Sequence, residues 1–246
     1  MQSAGLSERQ TCRYTDFARS SQRYQSRKHY VALGDRLRTL AILRLRWRYR
    51  RLYRLLRREG LRVNRKRVQR VYCEAGLHVR QRPRKRVALV RVPKPEVTTP
   101  NERWSMDFVT DALADGRRFR NLTVVDDATR ECPQIEVERS LPAERIIAAL
   151  DRIARERGYP RTIVCDNGPE FRRGAMDQWA DQHGITLAFI EPGKPVQNAF
   201  IESFNGRFRD ECLNEHWFLD LADAEATIEA WRLGYNAVRP HGQLGG

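Results

Sequence analysis

Glu102-Arg103-Trp104-Ser105-Met106-Asp107-Phe108-Val109 decides how the second half of this chain folds. Trp104, Met106 and Phe108 alternate with Ser105, Asp107 and Val109, the period of two that a half-buried strand requires. Phe119 to Val125 and Gln134 to Val137 read as second and third strands, separated by turns at Asp115-Gly116 and Asp126-Asp127-Ala128-Thr129. Ile146, Leu150 and Ile153 then recur at helical spacing, and Gly158-Tyr159-Pro160 ends that helix. Thr162 to Cys165 is a short buried strand and Ile185 to Ile190 another, with helices over roughly 174–183, 196–213 and 223–237. Three strands followed by alternating helix and strand predict an α/β domain built on a mixed sheet.

Before this stretch the composition changes. Residues 1–100 hold 28 Lys/Arg against 6 Asp/Glu, a charge of +22, while residues 101–246 hold 18 against 25, a charge of −7. A basic region on that scale attracts polyanions, nucleic acid foremost, and its excess of arginine over lysine favours phosphate forks. Its apolar residues keep helical spacing: Leu33, Leu37, Leu40 and Ala41, then Leu52, Leu55 and Leu56, then Val68, Val71, Tyr72 and Ala75. Ser7-Glu8-Arg9-Gln10 fits a capping box, Gly60 and Gly76 suit helix ends, and Asn64 suits an N-cap. Two short helices flanking Gly60 form a helix-turn-helix candidate whose second helix presents Arg65, Lys66, Gln69 and Arg70 outward to duplex DNA. The proline-punctuated basic stretch after it reads as a linker. The expected division is a DNA-binding region over 1–79, a linker over 80–101 and a catalytic core over 102–246.

Three acids carry the chemistry. Asp107 lies in the opening strand, Asp166 follows the Thr162 to Cys165 strand just before Asn167-Gly168-Pro169, and Glu202 lies on the helix after Asn198. On that helix Phe200, Phe204 and Phe208 make an apolar stripe, with Asn198, Glu202, Asn205 and Arg209 expected on roughly the opposite side. Gly206 is expected to admit a close backbone approach there, since a helix gains no propensity from glycine. Three carboxylates gathered at one point suit magnesium or manganese, which prefer hard oxygen ligands, and two such ions about 3.5–4 Å apart serve phosphodiester displacement.

Other classes are disfavoured. Cys12, Cys73, Cys132, Cys165 and Cys212 stand singly without CxxC spacing, so a zinc finger is not expected. No apolar run approaches the roughly 18 residues of a membrane span, and the first residues lack a signal-peptide core, so a cytoplasmic protein is expected. Neither a GxSxG elbow nor a glycine-rich phosphate loop is present.

These residues resemble the DDE transposases of bacterial insertion sequences, of the second-reading-frame type, whose core is similar to retroviral integrases. The matching stretches are Asn101 to Phe108, Cys165 to Phe171, Pro192 to Asn198, Ile201 to Asn214 and Tyr235 to His241, with Tyr49 to Val68 similar to that family's helix-turn-helix. The resemblance implies an RNase H-like core with Asp107, Asp166 and Glu202 as the metal-binding triad. It also implies two magnesium or manganese ions, double-stranded DNA partners (element ends and target) and a homo-oligomer. Its implied chemistry is cleavage at element ends by water, then transfer of the freed 3′-hydroxyl. The chain departs from the family in ending at Gly245-Gly246, where members run on, and in lacking a glycine within Trp47-Arg48-Tyr49.

Lys194, Asn205 and Arg209 are candidate DNA contacts by charge and by nearness to Glu202. Asp126, Asp127 and Glu170 are rival acids, the first two in a turn, and Trp104, Trp217 and Trp231 are expected in the core. The residues leave two other readings open: a DNA-binding regulator with a degenerate or truncated core, and an RNase H-like nuclease acting on RNA–DNA hybrids.

Overall fold

The computed structural model describes residues 7–23, 31–79, 97–168, 171, 174–191 and 198–237. The N-terminal part is helical: α1 (Glu8–Tyr14), α2 (Arg19–Gln22), α3 (Val31–Leu43), α4 (Tyr49–Arg58) and α5 (Arg65–Glu74). Ser7 and Gln10 cap α1 reciprocally, as the capping-box sequence requires. Leu37, Leu40, Trp47, Leu52, Leu56, Val68, Val71 and Tyr72 are buried together, so α3, α4 and α5 share one small core. α4 ends at Gly60, whose φ of 84° is the left-handed conformation glycine adopts without strain. Asn64 caps α5, its side-chain oxygen accepting from the Lys66 amide at 2.9 Å. Arg65, Lys66, Gln69 and Arg70 are all exposed, on the face that the sequence pattern leaves outward.

The second part is a five-stranded sheet: β1 (Arg103–Ala112), β2 (Arg118–Asp126), β3 (Gln134–Glu138), β4 (Thr162–Cys165) and β5 (Thr186–Phe189), in the order β3-β2-β1-β4-β5. β1, β2 and β3 are antiparallel neighbours; β4 runs parallel to β1, and β5 to β4. Connections over α6 (Ala143–Arg157) and α7 (Gly174–Gln182) carry the parallel strands, while α8 (Ala199–Glu211) and α9 (Leu221–Ala237) follow β5.

The alternation along β1 separates two cores. Trp104 and Met106 join Leu122 and Val124 beneath α6 and α7. Val109 joins Phe119, Val125, Ile135 and Val137 beneath α8 and α9, through Ile201, Phe204, Phe208 and Ile228. Asp107 shares the parity of Val109, so it faces α8. Apolar cores cover both sides of the central strands, which explains why β2 is buried along most of its length and β1 from Trp104 to Met106.

Trp104 is fully buried and Trp231 packs at the edge of the α8–α9 core, but Trp217 is 86% exposed, contrary to expectation. Its neighbour Phe218 takes the interior place, packing edge-on against Phe119 and accepting from the Ala114 amide at 2.8 Å. Pinning residue 218 inward turns Trp217 out. Among the described residues no helix is long and apolar enough to cross a membrane.

Candidate active site

β1 and β4 bring the two aspartates together. Their parallel register pairs Ser105 with Val164. Asp107 and Asp166 each lie two residues beyond this last pair, on neighbouring chain segments at the same end of the sheet. Asp166 follows the last residue of β4, where its carboxylate accepts from the Gly168 amide at 3.1 Å. Asn167 ties the same turn to β5, donating to the Ile190 carbonyl at 2.8 Å. The Asp-Asn-Gly sequence thus makes a braced loop at the carboxyl end of a parallel strand, a usual place for a ligand crevice.

α8 lies over β1 and supplies Glu202. Its buried residues are Ile201, Phe204 and Phe208. At about 100° per residue, Asn205 falls beside that stripe and Glu202 about a quarter turn from it. Glu202 is therefore on the flank of α8, exposed, rather than opposite the apolar side as the sequence reading had it. Phe200 is only half-buried, on the other flank.

Asp107 feels both other acids. Burial is the largest influence raising its carboxyl above the ordinary range; the negative charges of Asp166 and Glu202 add to it, while hydrogen bonds from the Phe108 amide and Asn205 oppose it. Asp166 and Glu202 therefore both lie within electrostatic reach of Asp107. Among the described residues, however, no three His, Cys, Asp or Glu side chains stand close enough to hold a single ion. Like charges repel, and an exposed glutamate on a helix flank has rotamers through which to stand off.

Beneath α8 runs a polar seam in an otherwise apolar contact. Ser105, Asn121, Thr123, Asp127 and Asn198 are all buried. Asn205 donates from Nδ2 to Asp107 Oδ2 at 2.8 Å, and Thr123 donates its hydroxyl to Asn205 Oδ1 at 2.9 Å. Thr123 is the cross-strand partner of Asp107, so strand pairing itself delivers that hydroxyl. Asn205 had been expected to face DNA; the structure turns its amide inward onto Asp107 and Thr123. Asn198 is likewise buried rather than outward, 3.5 Å from the Met106 carbonyl, and its Oδ1 finds no partner among the described residues. Among the described residues nothing lies within 4 Å of the place a Gly206 Cβ would occupy, so none of their backbone makes the close approach the sequence suggested. Arg209 is exposed; Lys194, Glu170 and His241 lie outside the described residues.

The rival acids have other partners. Asp126 caps its own turn, accepting from the Ala128 and Thr129 amides at 2.8 and 3.1 Å, and from Asn101 at 2.9 Å. Asp127 is buried against Arg103 at 2.5 Å and the Ser105 hydroxyl at 2.8 Å. Sequence reasoning did not find this pair, nor Thr123. The signal was present: Asn121 and Thr123 put polar side chains on the Asp107 parity of a strand otherwise read as apolar.

Comparison with known proteins bears on the family and the fold. Residues 97–195 and 183–246 each match an integrase core domain, and residues 44–86 match an HTH-like domain. The chain is 50% identical over 242 residues to the uncharacterized 31.7 kDa protein of insertion element IS407 from Burkholderia multivorans, covering 97% of this chain and 87% of that protein. It is 49% identical to the uncharacterized 39.2 kDa protein of insertion element IS476 from Xanthomonas euvesicatoria, covering 98% of this chain and 70% of that one. Among solved structures, a chain of the simian T-cell lymphotropic virus intasome shares the fold with a TM-score of 0.52 and 15% identity, over 73% of this chain and 63% of that one.

Proposed function

Since the chain belongs to the integrase-core transposases of insertion elements, we propose that Asp107, Asp166 and Glu202 are its catalytic, metal-holding residues. The observation that carries this reading is geometric: β4, which ends just before Asp166, pairs in parallel with β1, and α8, which bears Glu202, is docked on Asp107 of β1 through Asn205. The donor set fits magnesium or manganese, since three carboxylates offer hard oxygens only. Such ions, two of them in this reading, supply charge neutralisation at the scissile phosphate and an oxygen nucleophile of lowered pKa.

The chain's own residues do the rest. Asn205 and Thr123 hold Asp107 in one rotamer, so its oxygens are aimed before substrate arrives. Asn167 and the Gly168 amide fix Asp166 at the end of β4. Glu202 enters from the flank of α8, from which substrate DNA is also approached by the exposed Arg209. Water first cleaves a phosphodiester at the element end and leaves a 3′-hydroxyl. That hydroxyl then attacks a target phosphodiester, forming one P–O bond as another breaks, so no energy-rich cofactor is required.

Residues 1–79 are the DNA-binding unit in this reading, 80–101 a linker and 102–246 the catalytic core. The capped N-terminus of α5 brings Arg65 and Lys66 to the duplex first, with Gln69 and Arg70 one turn on. Two ends must meet for transposition, so the working form is a homo-oligomer.

The test is strand cleavage and transfer on oligonucleotides bearing the element's ends. Asp107→Asn, Asp166→Asn or Glu202→Gln removes transition-state stabilisation of several kcal/mol, a loss of at least roughly hundredfold at 1.4 kcal/mol per factor of ten. DNA binding is unchanged in each. Full transfer by the Asp166 or Glu202 variant refutes the triad.

A further inference from the structure

On the flank of α8 away from Glu202, Phe200 is held by two arginines. The Arg130 guanidinium lies 3.5 Å from the centre of the Phe200 ring and that of Arg103 lies 5.7 Å from it. Arg103 is in turn fixed by the buried Asp127, which also takes the Ser105 hydroxyl. Arg103 and Ser105 precede Asp107 on the same face of β1, so one strand face carries both the anchor and the catalytic carboxylate.

Arg130 is placed at a cost. Its φ of 64° is left-handed, rare for a residue with a side chain. Its Nε and Nη1 are buried and find no hydrogen-bond partner among the described residues, while the guanidinium lies over the Phe200 ring and within electrostatic reach of Asp127 and Asp126. The turn around it compels this placement: the Arg130 amide donates to the Asp126 carbonyl at 2.9 Å, the Asp126 amide to the Glu131 carbonyl at 3.0 Å, and the Asp126 carboxylate takes two further amides. Strain that the surroundings enforce beside a catalytic element points to a task for the strained residue.

We propose that Arg130 and Phe200, with Arg103 behind them, are positioning residues that set where Glu202 stands. The proposal rests on Glu202 being a metal-holding residue. α8 is fastened to the sheet at Phe200 on one flank and at Asn205, through Asp107 and Thr123, on its inner face. Glu202 lies between these two fastenings along the helix. Rotation or sliding of α8 is stopped at both, so the turn of helix that bears Glu202 keeps a fixed place over β1.

The full-length chain is tested for Mn2+ binding by electron paramagnetic resonance and for strand transfer across a Mg2+ titration. Phe200→Leu and Arg130→Gln weaken Mn2+ binding, and raise the half-saturating Mg2+, by about tenfold, the scale on which outer groups tune metal ligands. DNA binding stays the same. Phe200→Tyr keeps the ring and restores both values; Arg130→Lys keeps the charge but not the planar stack, and behaves as Arg130→Gln. Unchanged Mn2+ binding in Phe200→Leu and in Arg130→Gln, whatever their melting temperatures, overturns the clamp. Should Phe200→Leu not fold, Arg130→Lys decides by the same readout. An Asp166→Asn chain that binds Mn2+ as well as the unaltered one overturns the triad instead, and is distinguished by that result.

Discussion

Asp107 sits where burial and two neighbouring charges work against its ionised form while Asn205 and the Phe108 amide favour it. The balance raises its carboxyl, so at neutral pH the folded state carries a carboxylate it holds less favourably than the unfolded chain does. Below the ordinary carboxylate range both states are protonated and the cost vanishes. Asp107→Asn in EDTA is therefore expected to stabilise the fold at neutral pH, with a gain that shrinks as pH falls through that range. Urea denaturation at both ends of the range measures it. A variant less stable than the parent at neutral pH shows that Asn205 and Phe108 outweigh the burial. At this scale the proposed triad comes from the sequence alone, each acid lying in a distinct flanking stretch. The partners of Asp107 were not legible there, because Thr123 and Asn205 reach it only through strand pairing and helix docking. Phe200 was misread as core for a related reason: periodicity gives a face to each residue but cannot say that Arg103 and Arg130 close over one edge of it.

The elements follow the sequence closely where punctuation is strong. β1 extends over Arg103–Ala112, β4 over Thr162–Cys165 and α9 over Leu221–Ala237, within a few residues of the periodic runs. Caps explain that agreement for α1 and α5, since Ser7 and Asn64 fix their starts through side-chain hydrogen bonds. Asn64→Ala should cost the helical unit about 1 kcal/mol and weaken duplex binding, measured by melting and by titration with DNA. An unchanged melting temperature would mean that α5 is held by Val68, Val71 and Tyr72 alone. Gly206 permits a sharper separation. With open space at its Cβ position, Gly206→Ala should stabilise α8 by up to about 1 kcal/mol. If the space is where the DNA backbone passes, the same variant transfers strands more slowly although it melts higher. Faster or equal transfer would show that the glycine has no part in DNA approach.

Across the whole molecule, charge and contact divide the labour. The basic N-terminal hundred residues carry +22 and the remainder −7. The two parts meet at the far end of α8, where Arg51 pairs with Glu211 at 2.8 Å and Arg46 with Glu215 at 3.4 Å. Composition foretold the asymmetry, but no local pattern tells that these arginines face the core rather than DNA. Binding of the full chain to duplex DNA should fall steeply with salt, the logarithmic slope being about −0.9 for each phosphate neutralised. A flat salt response would mean that the basic region serves another partner. The central claim is that Asp107, Asp166 and Glu202 close around shared cations, and a crystal grown with Mn2+ tests it most directly. Anomalous difference density is predicted between those three carboxylates, drawn nearer one another than they stand here. Density elsewhere, or the three still standing apart at saturating Mn2+, would contradict it.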